Sequence, residues 1–329
     1  SVFIDGAGLQ EIDSAGAMHL VKTLSLSGGS INQARLINFS SEQEALIRLV
    51  AERLEDATDL PKAKKFSVLA RVGRSGVSAI AAVLGILNFL GFAAIGFFEL
   101  LKSPQKFRYR ETVAQLEAAC VSAIGIVALV TFLIGIVVAY LYASQMEKYG
   151  ANIFIVEAVS IAMCRELSPI IVAIIVAGRS GSSFTAQIGT MKLNEEIDAI
   201  QTLGLSSLQV LVIPRVIALM IAMPLLVFVG NVAGIGGGMA IAEMYADINL
   251  ATFLERMQDK LALKHLVIGL MKAPIFAAFI AVIGCKMGLT AENNARSVGL
   301  NTTATVVQSI VSVILLDAFF AIITVELGY

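Results

Sequence analysis

The sequence predicts a mainly α-helical fold, a polytopic bundle of membrane helices with a small α/β piece at the N-terminus. Of its 329 residues, 57% are hydrophobic and only 15% are charged, whereas soluble domains carry roughly 25% charged residues. The stretches 118–146 and 216–242 contain no charged residue, and each exceeds the roughly 20 residues that cross a bilayer core as a helix. A soluble fold of this length has no means of burying so much apolar surface.

Residues 1–60 differ in character from the rest of the chain. Their patterning predicts a strand, a helix, a second strand and an amphipathic helix, in that order, over residues 1–4, 14–26, 34–39 and 41–55. For the last helix we expect Ser41 as N-cap and Glu44 as its capping-box partner. This alternation predicts a small α/β domain of the βαβα kind.

Residues 61–110 form a basic linker and a first apolar helix. Five cations precede the apolar stretch and, by the positive-inside rule, place the N-terminus in the cytoplasm; they are Lys62, Lys64, Lys65, Arg71 and Arg74. The uncharged stretch 75–98 is long enough to span a bilayer, but basic residues flank it on both sides. We therefore favour a helix that lies in the interface or is re-entrant, because both of its ends then stay on one side.

Residues 111–329 contain five further apolar segments, which predict a five-span membrane domain. The predicted spans are 115–145, 151–178, 208–242, 263–287 and 302–327. With a cytoplasmic N-terminus, the loops 179–215 and 286–301 face the cytoplasm and the charged loop 243–264 faces outward.

Motifs for catalysis are absent from the sequence. It contains no GxxxxGK[ST] for nucleotide phosphates, no HExxH and no GxSxG. The three cysteines and two histidines lack metal-ligand spacing, so we predict no metal and no cofactor. The net charge of −1 gives no reason to expect nucleic acid as a partner. The chain is therefore predicted not to be an enzyme.

Three small residues recur at intervals of four in the third predicted span, namely Gly230, Gly234 and Gly238. This spacing predicts a smooth helix face for close packing against another helix.

Ionisable residues interrupt three of the predicted spans. Arg165 and Glu166 lie in the second, Lys272 in the fourth and Asp317 in the last. Such residues are costly in a membrane and usually serve function. For Arg165 and Glu166, a polar cavity and simple pairing with neighbouring helices both stay open; for Lys272 and Asp317 we favour packing.

A short amphipathic helix is predicted over 191–203, between the second and third spans. Ile197, Ile200 and Leu203 share one side, and the acidic residues lie elsewhere. A helix in this place either offers a knob to a soluble partner or is an ordinary solvated loop helix.

Several motifs in order resemble those of the MlaE/YrbE family, the permeases of Mce-type lipid ABC transporters. They are the run RELSP at 165–169, the segment 177–205 and the tripeptide IPR at 213–215. The likeness covers about residues 66–329. It implies an interfacial helix and five spans in the bacterial inner membrane, a homodimer, a separate ATPase dimer that binds ATP, an Mce-domain protein on the periplasmic side, and phospholipid or a related lipid as cargo.

The resemblance also assigns expected roles to single residues. It places Glu195, Glu196, Ile197, Asp198 and Ala199 in the coupling helix that docks on the ATPase. It places Tyr149, Arg165 and Glu166 where the family lines its lipid cavity near the dimer centre.

The N-terminal piece resembles the later half of a STAS domain through the run IDSAG at 12–16. The resemblance implies that Ser14 is a possible regulatory phosphorylation site. A plain helix N-cap is the favoured role for Ser14.

Two other functions compete with an ATP-driven lipid permease. An ion-coupled secondary carrier with a STAS domain would use Arg165, Glu166 and Asp317 as coupling charges, but such carriers usually contain inverted repeats, and the sequence shows no convincing repeat. A membrane anchor for a STAS signalling module would leave five spans and the acidic loop helix without a task.

Overall fold

The computed structural model describes residues 3–9, 11–26, 31, 34–55, 68–102 and 107–327. Two compact units divide the chain, residues 1–75 and 76–329. The predicted linker residues Lys62, Lys64 and Lys65 lie outside the described residues.

The first unit is a small α/β layer. Its elements are β1 (Phe3–Asp5), α1 (Ser14–Leu26), β2 (Arg35–Ile37) and α2 (Ser41–Glu55). The two strands pair in parallel, with Ile4 opposite Leu36. The helices bury a small core of Ala17, Leu24, Ile31, Ile47 and Ala51. The predicted βαβα order is confirmed.

The cap of α1 is Asp13 and not Ser14. The Asp13 Oδ1 atom accepts a hydrogen bond from the backbone N–H of Gly16 at 2.7 Å, as an N-cap side chain does. Ser14 is the first residue of the helix, and its side chain is exposed. The N-cap role favoured for Ser14 is therefore wrong, and a regulatory role for it stays a prediction.

The capping box of α2 also lies one residue before the predicted one. Ser40 Oγ accepts from the N–H of Gln43 at 3.2 Å, and Gln43 Oε1 accepts from the N–H of Ser40 at 3.0 Å. The predicted box of Ser41 and Glu44 is wrong because Glu44 instead pairs with a cation one turn further along the helix, Arg48.

The second unit is a bundle of long helices. Among the residues that the structure describes, six helical segments are long and apolar enough to cross a membrane by length and composition, which confirms the polytopic helical fold. The elements of the unit outside the second span are α3 (Val68–Lys102), α4 (Tyr109–Glu147), α8 (Glu196–Thr202), α9 (Ile213–Ala246), α10 (Leu250–Lys260), α11 (Leu263–Leu289) and α12 (Ala295–Glu326). The helix α3 is uninterrupted over its 35 residues, so it does not form the re-entrant loop that was one of the predicted alternatives.

The second span is a continuous helical rod with two π turns. Its parts are a 3₁₀ turn (Asn152–Phe154), α5 (Ile155–Ala162), a first π turn (Met163–Leu167), α6 (Ser168–Val176), a second π turn (Ala177–Gly181) and α7 (Ser182–Leu193). The 42 residues of this rod extend over about 63 Å at 1.5 Å per residue. This length is about twice the roughly 30 Å thickness of a bilayer core. The rod ends at Leu193, well past the predicted end of the span at 178.

The helix α9 packs against α4, α6 and α11 at the centre of the bundle, and 72% of its most apolar 18-residue window is buried, against 12% for α3 and 11% for α12. At Gly135 of α4, a Cβ atom would lie 2.0 Å from the carbonyl oxygen of Gly234. The two backbones are thus in direct contact, which requires glycine. Gly230 and Gly238 face side chains of α6 and α5, respectively, so all three predicted glycines lie at helix contacts.

Candidate functional site

Four ionisable side chains from three helical elements meet inside the bundle; we call Arg165, Glu166, Lys272 and Asp317 the charge cluster. Lys272 of α11 lies at its centre. The Lys272 Nζ atom is 2.5 Å from Glu166 Oε2 and 3.1 Å from Asp317 Oδ1. Only 2% of the Lys272 side chain is exposed, so the ammonium group is buried between two carboxylates.

Arg165 completes the cluster and connects it to α12. Its Nε atom donates to Glu166 Oε1 at 3.3 Å, and its Nη2 atom donates to Thr324 Oγ1 at 3.0 Å. Arg165 and Glu166 are successive residues, which point about 100° apart on a regular α-helix, yet here they are in contact on the first π turn. Two cations and two anions make the cluster formally neutral.

A proline explains where Lys272 docks on the rod. Pro169 has no N–H, so the carbonyl of Arg165, four residues earlier, lacks its α-helical donor. The Nζ atom of Lys272 lies 3.5 Å from that carbonyl oxygen. The local defect in the rod therefore creates an acceptor that a neighbouring helix supplies with a cation.

Close approach of α11 to the rod depends on Gly269. A Cβ atom at this position would lie 2.0 Å from the carbonyl oxygen of Cys164, so a larger residue would push the two helices apart. Lys272 lies three residues further along α11, on the same side of the helix. Gly269 thus allows Lys272 to reach the π turn.

The burial of four charges is costly unless each is paired. Removing water from an ion costs several kcal/mol even after relaxation, and only good geometry offsets that cost. Ionisable residues inside a membrane bundle usually mark a functional site. The charge cluster is therefore the strongest candidate site within the membrane part of the chain.

Tyr149, predicted to act with Arg165 and Glu166, lies elsewhere. It belongs to the turn after α4, and 84% of its side chain is exposed. The structure instead joins Arg165 and Glu166 to Lys272 and Asp317, for which packing was favoured. The sequence did contain one signal for this pairing, because the charges of these four residues sum to zero.

The predicted coupling helix is present but shorter than expected. It comprises α8, residues 196–202, instead of 191–203. The cause is Glu195, whose φ of 61° lies in the left-handed region and separates α8 from α7. Leu203, which was predicted to share one side of the helix with Ile197 and Ile200, lies one residue past the end of α8 and is 76% exposed.

The helix α8 presents a mostly polar outer surface. Ile197 is buried in the core of the bundle, and this anchors the helix. The other four residues assigned to the coupling helix are exposed: Glu195, Glu196, Asp198 and Ala199.

A buried arginine holds the chain that returns from α8. The Nη1 atom of Arg215 donates to the carbonyl of Leu211 at 2.7 Å, and Nη2 donates to Gln187 Oε1 at 3.3 Å. The guanidinium group also lies over the ring of Phe184, 5.8 Å from its centroid. The segments on both sides of α8 are thus tied to each other.

At the opposite end of the bundle, α10 is fixed by an ion pair that the sequence did not predict. Arg256 Nη2 lies 2.7 Å from Glu157 Oε1 of α5, and its guanidinium group lies over Phe154. Asn249 caps the helix by accepting from the N–H of Thr252 at 2.8 Å. The predicted outer loop 243–264 therefore contains an ordered amphipathic helix.

Fold and site together define a class of protein: a polytopic helical membrane protein with charges buried among its spans and a short helix exposed between two of them. Comparison with known sequences gives the family. The sequence profile of the family described as Permease MlaE matches residues 112–323, and the chain belongs to this family.

Relatives with curated names agree with this assignment. A probable ABC transporter permease protein of Synechocystis is 34% identical over 212 residues, 64% of this chain and 81% of the relative. One of Rickettsia bellii is 36% identical over 190 residues, 58% of this chain and 73% of the relative. The Arabidopsis thaliana protein TRIGALACTOSYLDIACYLGLYCEROL 1, chloroplastic, is 32% identical over 212 residues, 64% of this chain and 61% of the relative.

The chain is thus a membrane permease subunit and not an enzyme. The family match begins at residue 112, so the STAS resemblance of residues 1–60 stays a prediction.

Proposed function

We propose that this chain is the permease subunit of an ATP-driven transporter of phospholipid or a related lipid. In this proposal two copies enclose a lipid cavity in the bacterial inner membrane, with the N-terminus in the cytoplasm. An ABC ATPase dimer binds on the cytoplasmic side and an Mce-domain protein on the periplasmic side. The observation that carries the proposal is the charge cluster buried in an otherwise apolar bundle.

The cluster suits the headgroup of a lipid better than a purely apolar cargo. Arg165 and Lys272 are cations that bind phosphate oxygens well, and each is already held by carboxylates. A bound phosphate would replace Glu166, the most exposed member of the cluster at 33%, so that neither cation loses its partner. The name of the Arabidopsis relative contains that of a galactolipid, which supports a lipid as the transported class.

Coupling to ATP requires that the ATPase favour one arrangement of the permease over another. The exposed acidic surface of α8 is the proposed docking knob, because it lies between two spans and its apolar residue Ile197 anchors it in the core. Each tenfold difference in the ATPase's affinity for the two arrangements shifts their balance by about 1.4 kcal/mol.

Charge reversal on α8 tests the docking. In the variant Glu195→Lys/Glu196→Lys we expect the ATPase to be lost when the permease is purified from native membranes in mild detergent. Glu292→Lys, an exposed acidic residue in the other predicted cytoplasmic loop, is the matched control and should retain it. ATPase recovery that is equal in all three proteins would contradict the docking role.

An ion-coupled carrier is the second candidate, and the charge cluster is the observation that favours it. A lysine between two carboxylates is a group whose proton or partner can exchange during transport. Transport that continues without ATP and stops when the ion gradient is collapsed would support this candidate.

A further inference from the structure

The last four carbonyl groups of an α-helix have no donor within the helix itself. In α11, all four accept a hydrogen bond from elsewhere. Two of the donors come from other helices. Asn301 Nδ2 of α12 donates to the carbonyl of Met287 at 2.9 Å, and Lys192 Nζ of α7 donates to the carbonyl of Leu289 at 2.8 Å. The two carbonyls capped by the next turn of the same chain are those of Lys286 and Gly288.

The helices α7 and α11 are packed backbone to backbone over the preceding turns. A Cβ atom at Gly284 would lie 2.7 Å from the carbonyl oxygen of Gly181. The Thr185 Oγ1 atom donates to the carbonyl of Gly284 at 2.9 Å. Residues 181, 185, 188 and 192 lie on one side of the rod, so Lys192 is the last contact of a continuous seam.

Lys192 is also the seam contact nearest to the knob. Only Leu193, Asn194 and Glu195 separate it from α8. On the other side, α11 continues from Leu289 to Lys272 over about 26 Å of helix, with Pro274 inside it. A displacement of α8 therefore has a short covalent path to Lys192, and the single helix α11 leads from the carbonyl that Lys192 binds to the charge cluster.

We propose that Lys192 is a positioning residue that passes the motion of α8 to α11 and so to the charge cluster. The inference rests on the proposed function. A cation at a helix C-terminus is favoured by the helix dipole, and a charge-assisted hydrogen bond is stronger than a neutral one. Without it, the last carbonyl of α11 loses its charged link to α7, and we expect the end of α11 to follow α8 less closely.

The test is the amount of lipid moved per ATP hydrolysed by the complete complex in proteoliposomes. We expect Lys192→Met, which keeps the length but removes the donor, to lower this ratio roughly fivefold or more, a typical allosteric coupling. ATPase binding and ATP hydrolysis should persist, and Lys192→Arg should restore the ratio. The control Thr290→Val removes the side-chain hydrogen bonds of the C-cap residue to the carbonyls of Lys286 and Met287 in the last turn of α11, and it should leave the ratio unchanged.

An unchanged ratio in Lys192→Met, or an equal fall in Thr290→Val, would overturn the inference. If the wild-type complex moves no lipid with ATP, the proposed function fails instead. Should Lys192→Met not assemble, amide hydrogen exchange of the wild-type complex decides. On addition of ATP and vanadate, exchange should change at 286–290 together with 196–202, and a change confined to 196–202 would contradict the role of Lys192.

Discussion

At the scale of single residues, Lys272 carries the most consequence. Its ammonium group forms ion pairs with two carboxylates from different helical elements, and almost none of the side chain is exposed. Loss of this one cation removes the ion pair of Asp317 and leaves Glu166 with its ion pair to Arg165. The two carboxylates then repel each other, and this repulsion is strong in a low-dielectric interior.

We predict that Lys272→Met destabilises the protein by roughly 3–5 kcal/mol, the usual cost of breaking a buried ion pair. Thermal unfolding in detergent measures this. Lys264→Met, an exposed lysine on the same helix, should be close to neutral. The double variant Lys272→Met/Asp317→Asn should recover part of the loss because one uncompensated charge is gone. Equal unfolding temperatures for Lys272→Met and Lys264→Met would show that the ion pairs do not stabilise the fold.

A second residue-scale prediction concerns the cap of α1. Asp13→Ala removes the side chain that accepts a hydrogen bond from the N–H of Gly16. We therefore expect the variant to destabilise α1 by about 1 kcal/mol. Ser14→Ala should have little effect. Amide hydrogen exchange of residues 14–26 in the full chain measures both, and faster exchange in the Ser14 variant would restore Ser14 as the cap.

At the scale of elements, close helix contacts decide the packing of the bundle. A Cβ atom at Gly237 of α9 would lie 2.1 Å from the carbonyl oxygen of Phe132, whereas at Gly236 the same atom would meet nothing within 4 Å. Replacing Gly237 by alanine therefore tests the close contact between α9 and α4, whereas the same change at Gly236 tests only the helix propensity of the residue.

We predict that Gly237→Ala destabilises the bundle by about 1–3 kcal/mol through overpacking. Gly236→Ala should be neutral or stabilising by up to about 1 kcal/mol, because alanine favours helix. Folded yield and unfolding temperature in detergent compare the two. If both variants unfold at the wild-type temperature, α4 and α9 are not in the close contact described.

The sequence predicted the existence of the helices far better than their ends. Long apolar runs specify α4, α9, α11 and α12 because only helices satisfy the backbone in lipid. The second span extends past 178 because its polar run 178–183 packs against α11 and α12, a tertiary contact that hydropathy does not report. The break at Glu195 was also hidden, since a left-handed glutamate has no composition signal.

At the scale of the whole molecule, the two candidate sites lie on connected elements. The charge cluster joins the rod, α11 and α12, and α8 follows directly from the rod. The sequence predicted Arg165 and Glu166 as site residues but not their partners, because the contacts of Lys272 with Glu166 and Asp317, over 106 and 45 residues of chain, leave no local pattern. The motifs of the family resemblance pointed to Arg165 and Glu166, and the structure shows the distances that join them to Lys272 and Asp317.

The central claim, ATP-driven movement of lipid, is tested most directly with the complete complex in proteoliposomes that contain a fluorescent phospholipid. We predict lipid transfer that requires ATP, survives the collapse of proton and sodium gradients, and is lost in Glu195→Lys/Glu196→Lys. Transfer that needs no ATP and stops when a gradient is collapsed would contradict the account and identify an ion-coupled carrier.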